Sequence, residues 1–173
     1  MIASGSPTVW GIDISTKQID IAFVTAEGVW QTNAAVLPKT KVDDVGSRLF
    51  AAWTTIARFA DAMRDHFPPV YVMLERPTGK FQSPSLMMTA GVVAGAVASQ
   101  VEVPMDFIAV SSWKAAIGLG GNASKAAVRQ WAENLGGSIA SQDAADALGI
   151  ASAAACRVDG WAATCYVDPP NYG

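Results

Sequence analysis

The pattern of hydrophobic and polar positions along the 173 residues predicts a succession of strands and helices. Short alternating or apolar stretches between turn residues are typical of β-strands, and they span 8–14, 19–25, 29–36, 70–75 and 104–110. Longer stretches whose apolar residues recur every three or four positions are typical of helices. The predicted helices span 45–67, 84–100, a short segment from a Ser111 cap to Ile117, a segment from an Asn122 or Ser124 cap to about Leu135, and a final stretch after Ser141.

The order of these elements predicts an α/β fold with a mixed five-stranded sheet. The first three strands are separated only by turns, so we expect an antiparallel meander. The stretch 70–75 is continuously apolar, which is typical of a central strand covered on both faces. Helices between the later strands make crossover connections and cover both faces of the sheet. We expect one domain over 1–158 and a C-terminal tail over 159–173.

Composition narrows the cellular setting. Hydrophobic residues make up 51% of the chain and charged residues 16%, enough for one compact core. The longest apolar run, 86–98, is too short to cross a bilayer, and the first residues do not form a signal peptide. Cys156 and Cys165 form no CxxC pair, which favours free thiols in a reducing cytosol and argues against a zinc site. We therefore expect a cytoplasmic protein of a bacterium or a phage-infected bacterial cell, with no membrane partner.

Four acidic residues stand out because the elements around them are otherwise apolar. Asp13 ends the first predicted strand and Glu75 ends the fourth, so they meet if these strands are neighbours. Asp143 and Asp146 are three positions apart and share one helix face. Four carboxylates in one place need a compensating cation, and oxygen ligands suit Mg²⁺ or Mn²⁺. Each residue taken singly also has a purely structural explanation. Asp13 could be a turn residue, Glu75 could be a solvated strand end, and Asp143 could be stabilised by the dipole in the first turn of a helix.

Gly149 lies on the same face of the last predicted helix as Asp146. Glycine inside a helix costs about 1 kcal/mol relative to alanine. Its presence here indicates that another group approaches this face closely.

Three motifs resemble those of the RuvC-like Holliday junction resolvases of the RNase H-like superfamily. They are GIDIS (11–15), VMLE (72–75) and SQDAADALGIA (141–151), and the similarity extends from about Val9 to Arg157. WKAAIGLGGNASKAAV (113–128) looks like the basic segment of that family. The resemblance implies an RNase H-like fold and a metal-dependent endonuclease that acts as a homodimer on four-way DNA junctions, in recombination and repair.

The resemblance also implies roles for the four acids. The family's catalytic, metal-binding residues map to Asp13, Glu75, Asp143 and Asp146, which would hold two Mg²⁺ ions, with Mn²⁺ as a substitute. We expect Asp13 to bridge both ions, Glu75 to hold one, and the two aspartates of the last helix to complete the shell. In a site of this kind one cation activates water and the other stabilises the leaving 3′ oxygen. The products would carry 5′-phosphate and 3′-hydroxyl ends.

Basic and loop residues near these acids are expected to bind DNA. Lys114 and Lys125 match basic family positions near the scissile phosphate, and we count them with the catalytic group. The loop that follows Glu75 would bring Phe81 into the junction centre, although the insert at 77–79 departs from the family pattern; the alternative is a phenylalanine that closes the core. The net charge of −3 requires that cations be concentrated locally, and it predicts strongly salt-dependent binding. The expected DNA-binding residues are Thr16, Lys17, Arg76, Lys80, Phe81, Lys114, Lys125 and Arg129, with Lys39 and Lys41 as further cations.

Small residues in the helix predicted over 84–100 allow close helix packing. Gly91 and Gly95 alternate with alanines there. Such a face packs either in the core or, as the resemblance implies, in an isologous dimer interface.

Three other functions remain open at the level of sequence. The same fold also suits a nuclease for RNA, RNA–DNA hybrids or branched and flap DNA. A junction-binding protein without activity is a second alternative, but the presence of all four acids argues against it. The stretch 11–28 also resembles the phosphate-binding hairpin of actin-like kinases, but those proteins need two such domains and this chain is too short.

Overall fold

The computed structural model describes residues 1–38, 44–77 and 83–161. Its strands are β1 (Thr8–Ile14), β2 (Gln18–Val24), β3 (Trp30–Val36), β4 (Pro69–Glu75) and β5 (Met105–Ile108). They form one sheet in the order β3-β2-β1-β4-β5. The first three strands are antiparallel, whereas β4 pairs with β1, and β5 with β4, in parallel. The predicted mixed five-stranded sheet is therefore confirmed.

Helices cover both faces of this sheet. They are α1 (Val45–Arg64), α2 (Pro84–Ala98), α3 (Val110–Ala116), α4 (Lys125–Asn134) and α5 (Gln142–Ala155). The helices α1 and α2 pack over one face around Trp10, Ile12 and Phe23. The other three helices pack over the second face, where α5 lies directly on β1 and β2. None of the described helices is long and apolar enough to span a bilayer.

Gly11 allows α5 to lie unusually close to β1. A Cβ atom at this position would be 2.1 Å from the backbone nitrogen of Ala151 and 2.5 Å from the carbonyl oxygen of Ala147. Side chains alternate between the faces of a strand, so Asp13, two residues after Gly11, lies on the face that α5 covers. Gly11 thus brings the helix that carries Asp143 and Asp146 onto the strand that carries Asp13.

The parallel pairing of β1 and β4 brings two predicted acids to the same sheet edge. Ile12 is paired with Leu74, and the next residues along the two strands are Asp13 and Glu75. The expectation that these strands are neighbours is therefore confirmed.

Several local details differ from the sequence-based expectations. The helix α1 ends at Arg64 rather than at Phe67, because the chain turns there to bury Phe67, whose ring stacks on Phe23 at 4.3 Å. The N-cap of α3 is Ala109, without a side-chain cap, so the predicted Ser111 cap is wrong and Ser111 lies within the helix. The strand β5 accordingly ends at Ile108.

The prediction of a free thiol at Cys156 is also wrong, and Cys165 lies outside the described residues. Cys156, the C-cap of α5, is disulfide-bonded, and no free cysteine occurs in the described part of the chain. Trp161 and Val158 pack against the helical core on the α5 side. The domain boundary at residue 158 therefore stays a prediction, since residues 162–173 lie outside the described ranges.

Candidate metal centre

Three of the four predicted acids converge at the end of the sheet. One carboxylate oxygen each of Asp13, Asp143 and Asp146 lies within 4.8 Å of the other two, and all three residues are half-buried. Asp13 comes from β1, whereas the other two come from the first two turns of α5. Residues 130 or more positions apart in sequence thus form one acidic cluster.

The cluster is electrostatically unfavourable without a counter-ion. Burial, followed by repulsion from Glu75, Asp146, Asp143 and Asp20, raises the pKa of Asp13 to about 8. Burial also raises the pKa of Asp146, although the Gln142 amide and two lysines act against that rise. The metal-free protein therefore holds a proton on Asp13 at neutral pH.

The fourth predicted acid, Glu75, lies beside this cluster. Burial raises its pKa, and so does repulsion from Asp146. The indole Nε1–H of Trp113 donates a hydrogen bond to Glu75 Oε2 at 3.0 Å, which stabilises the ionised form. Glu75 is therefore close enough to interact electrostatically with the cluster, and the Trp113 indole holds its carboxylate in place.

The start of α5 fixes the two aspartates of the helix. Ser141 is the N-cap, and its hydroxyl oxygen accepts a hydrogen bond from the backbone N–H of Ala144, as predicted. Asp143 lies in the first helical turn, where the helix dipole favours an anion. Asp146 lies beyond that turn, and the Gln142 amide donates to its Oδ1 at 2.9 Å.

Asp20 is a fifth acid at this centre that sequence reasoning missed. It is paired with Asp13 across β1 and β2, and its side chain is only 4% exposed. The Gln18 amide donates to Asp20 Oδ2 at 2.7 Å, and a hydrogen-bonding interaction with Ser141 stabilises its ionised form against burial. The available signal was the alternation in 19–25, which places Asp20 on the face opposite Ile19 and Ile21.

Two of the predicted cations act on the acidic cluster. The charges of Lys114 and Lys125 lower the pKa of both Glu75 and Asp146. Lys114 lies at the end of α3, where its Nζ donates to the carbonyl oxygen of Ala123 at 2.7 Å. Lys125 begins α4 and is exposed.

The other predicted DNA-binding residues within the described part of the chain lie on the surface. Thr16 and Lys17 are exposed in the turn after β1, and Arg76 is exposed directly after Glu75. Arg129 forms an ion pair with Glu133 at 3.0 Å along the surface of α4. Lys80 and Phe81, together with Lys39 and Lys41, lie outside the described residues.

The donor set fits a divalent cation. All the ligand atoms are carboxylate oxygens, which are the ligands that Mg²⁺ and Mn²⁺ prefer. The raised pKa of Asp13 means that the cluster concentrates more negative charge than its own surroundings stabilise. Asp13, Asp143 and Asp146 would hold such an ion, with Glu75 beside them.

Comparison with known proteins gives a fold relationship. No protein-family model and no curated protein sequence matches the chain. RuvC from Thermus thermophilus is 22% identical over 83% of this chain and 90% of its own, with a TM-score of 0.60, and 0.64 for its complex with a Holliday junction substrate. The yeast mitochondrial Holliday junction resolvase Ydc2 is 15% identical over 95% of this chain and 80% of its own, with a TM-score of 0.56. The chain therefore has the RuvC-type, RNase H-like fold, with its acidic cluster at the carboxyl end of β1.

Proposed function

We propose that this protein is a divalent-metal-dependent endonuclease that resolves four-way DNA junctions by hydrolysing phosphodiester bonds. One observation carries the proposal. Within a RuvC-type fold, the carboxylates of Asp13, Asp143 and Asp146 converge within 4.8 Å from distant parts of the sequence. A neighbour with this fold was solved in complex with a Holliday junction substrate, which supports the choice of a four-way junction as substrate.

The chain's own acids would hold two Mg²⁺ ions, or Mn²⁺ in their place. When bound, such a pair activates a water molecule and stabilises the leaving 3′ oxygen of an in-line displacement. Asp13 is repelled by Glu75 as well as by Asp146 and Asp143, which supports a role as the ligand shared by both ions. Glu75 would then serve one ion, and Asp143 and Asp146 would complete the shell. The products would carry 5′-phosphate and 3′-hydroxyl ends.

Cations beside the acids would hold the DNA backbone. Lys114 and Lys125 act electrostatically on Glu75 and Asp146, so a phosphate placed at the acidic cluster would also lie near their charges. Thr16, Lys17 and Arg76 are exposed on the segments that follow β1 and β4, at the same end of the sheet. Because the whole chain carries a net charge of −3, we expect binding to weaken steeply as salt rises.

We further propose that the enzyme acts as a homodimer through α1 and α2. Phe50 and Met87 are 70% and 48% exposed, and Trp53 and Met88 are also exposed. A Cβ atom added at Gly91 or Gly95 would meet none of the described residues within 4 Å, so the side of α2 that carries these two glycines is open in the described part of the chain. Large exposed apolar side chains of this kind mark contact surfaces. A second copy would present a second cluster to the opposite strand of a symmetric junction.

The decisive measurement is cleavage of an end-labelled four-way junction in Mg²⁺ and in EDTA. The arms of the junction should share a stretch of homologous sequence, so that the crossover can migrate and many sequences reach it. Linear duplex, RNA–DNA hybrid and flap substrates serve as controls. We expect paired cuts in the junction that need Mg²⁺ or Mn²⁺, with product ends that DNA ligase seals directly. Preferred cutting of hybrid or flap DNA would overturn the substrate assignment, and binding without cutting would overturn the nuclease proposal.

The substitution Asp146→Asn tests the site itself. It removes one negative ligand while retaining an oxygen that the Gln142 amide can still reach. We expect loss of Mg²⁺-dependent cleavage with junction affinity preserved, measured by gel cleavage and by fluorescence anisotropy. The control is Asp106→Asn, which changes an exposed aspartate that accepts from Tyr71 on β4. Normal cutting by Asp146→Asn would show that the site is assigned wrongly.

A further inference from the structure

Trp113 links the acidic cluster to the elements beneath it. It lies in α3, its side chain is fully buried, and it packs in the same core as α5. We propose that Trp113 is a positioning residue of the metal centre, which fixes the Glu75 carboxylate relative to the helix that carries Asp143 and Asp146. This inference rests on the proposed function, because it assigns a role within that centre.

The first contact is with Glu75. The indole Nε1–H donates to Oε2 at 3.0 Å, which fixes one oxygen of the carboxylate and leaves Oε1 for a cation. Asp146 repels Glu75, so the carboxylate would gain by rotating away from the cluster if nothing held it. A hydrogen bond from a fully buried donor to a charged acceptor is among the stronger single contacts in a protein.

The second contact is with α5. A Cβ atom at Gly149 would lie 2.6 Å from Cζ3 and 2.9 Å from Cε3 of Trp113, so the indole ring occupies the space that any side chain would need. Gly149 follows Asp146 by three residues and therefore lies on the same face of the helix. One rigid ring thus spans from Glu75 on β4 to the helix that carries Asp146, and this explains the glycine predicted to mark a close approach.

The third contact is with Lys114. Its Nζ lies 5.5 Å from the centroid of the Trp113 ring, while it donates to the carbonyl oxygen of Ala123. A cation over an aromatic face is stabilised by the ring itself. A phenylalanine at position 113 keeps an aromatic ring, but it removes the donor to Glu75 and the outer ring atoms that approach Gly149, which are the two contacts on which the proposed role depends.

The test is Trp113→Phe, with Trp131→Phe as the matched control. Trp131 is a buried tryptophan of α4 in the same core. We expect Trp113→Phe to weaken Mn²⁺ binding by about 10–100-fold, measured by the electron paramagnetic resonance of free Mn²⁺, since groups that orient metal ligands typically contribute this much. The Mg²⁺ concentration for half-maximal cleavage should rise in parallel. Junction affinity without metal should be unchanged, and Trp131→Phe, which removes the same volume from the same core, should keep the Mn²⁺ affinity and cleavage of the wild type.

A second measurement uses the unsubstituted Trp113 ring and does not require Trp113→Phe to fold. The chain has six tryptophans, so its ¹H–¹⁵N spectrum contains few indole signals to assign. The Trp113 indole signal should shift on addition of Mg²⁺ and in Glu75→Gln, while that of Trp131 should not. If the Trp113 signal shifts in neither case, or if a folded Trp113→Phe protein keeps full Mn²⁺ affinity, the role of Trp113 is disproved while the proposed function stands. A wild-type protein that binds no Mn²⁺ overturns the proposed function with it.

Discussion

Asp13 occupies a position where each principal influence opposes its negative charge. Burial acts first, and the neighbouring carboxylates of Glu75, Asp146, Asp143 and Asp20 add to it, so that its pKa reaches about 8. Burial raises the pKa of Asp20 as well. A cation would replace the proton on Asp13 and relieve the repulsion, which links metal affinity, pH and stability at one residue.

This linkage predicts the effect of Asp13→Asn on the metal-free protein. In the unfolded chain Asp13 ionises near pH 3.8, whereas in the folded protein it keeps its proton to about pH 8. Between these values the unfolded state binds fewer protons, so the free energy of unfolding falls as pH rises, by up to about 1.4 kcal/mol per pH unit. Asp13→Asn removes that loss. Urea unfolding in EDTA should show the variant to be more stable than wild type at pH 7.5, with a difference that shrinks towards pH 4.

The control for this prediction is Asp65→Asn, because the Asp65 side chain is 85% exposed. Its pH dependence should follow that of the wild type. Adding Mg²⁺ at pH 7.5 should stabilise the wild type and leave Asp13→Asn almost unaffected. Equal pH slopes for wild type and Asp13→Asn would contradict the repulsive environment on which the argument depends.

The sequence predicted some of these residues and missed others for a physical reason. Asp13, Glu75, Asp143 and Asp146 stand at the ends of apolar elements, so their charge is anomalous in the linear pattern. Asp20 lies in an alternating strand, where a polar residue at every second position is ordinary, and only the pairing of β1 with β2 places it opposite Asp13. Trp113 reads as one more apolar residue, because the sequence does not contain its distance to Glu75.

At the scale of elements, the centre depends on how closely α5 lies on β1. The pattern predicted α5 and its Ser141 cap because helix capping and periodicity depend only on residues that are close in sequence. It did not predict the contact at Gly11, which involves the backbone of Ala147 and Ala151. The wrong prediction that α1 ends at Phe67 has the same origin, since tertiary burial of Phe67 overrides the local pattern and the helix ends at Arg64.

The substitution Gly11→Ala tests this packing. The added methyl would meet the backbone of α5 at 2.1–2.6 Å, so the helix must move away from the strand. We expect a loss of about 3 kcal/mol in the free energy of unfolding, the scale of overpacking in a rigid core. Cleavage should fall further than stability explains, because Asp143 and Asp146 move with the helix. Gly46→Ala in α1, whose Cβ would lie no closer than 3.4 Å to its nearest neighbour, is the control and should retain both stability and cleavage.

At the scale of the whole molecule, the charged and apolar surfaces are separated. The acidic cluster and its two lysines lie on the α5 side of the sheet, whereas Phe50, Trp53, Met87 and Met88 are exposed on the helices of the opposite side. A dimer formed through α1 and α2 would therefore leave both metal centres accessible. It would also bring two sets of cations to one DNA molecule, which doubles the number of possible phosphate contacts per complex.

The double substitution Phe50→Glu with Met87→Glu tests this arrangement. Two carboxylates in an apolar interface would lose their hydration without partners, so association should fail while each chain, in which both side chains are already exposed, stays folded. Sedimentation should show the wild type at twice the chain mass of 18.0 kDa and the variant at the single mass. Because one centre then reaches only one strand at a time, paired incisions in the junction should give way to single nicks. Val36→Glu places the same charge at an exposed valine on the edge strand β3 and should remain dimeric. A monomeric Val36→Glu protein, or a dimeric double variant, would show instead that the copies meet through another surface.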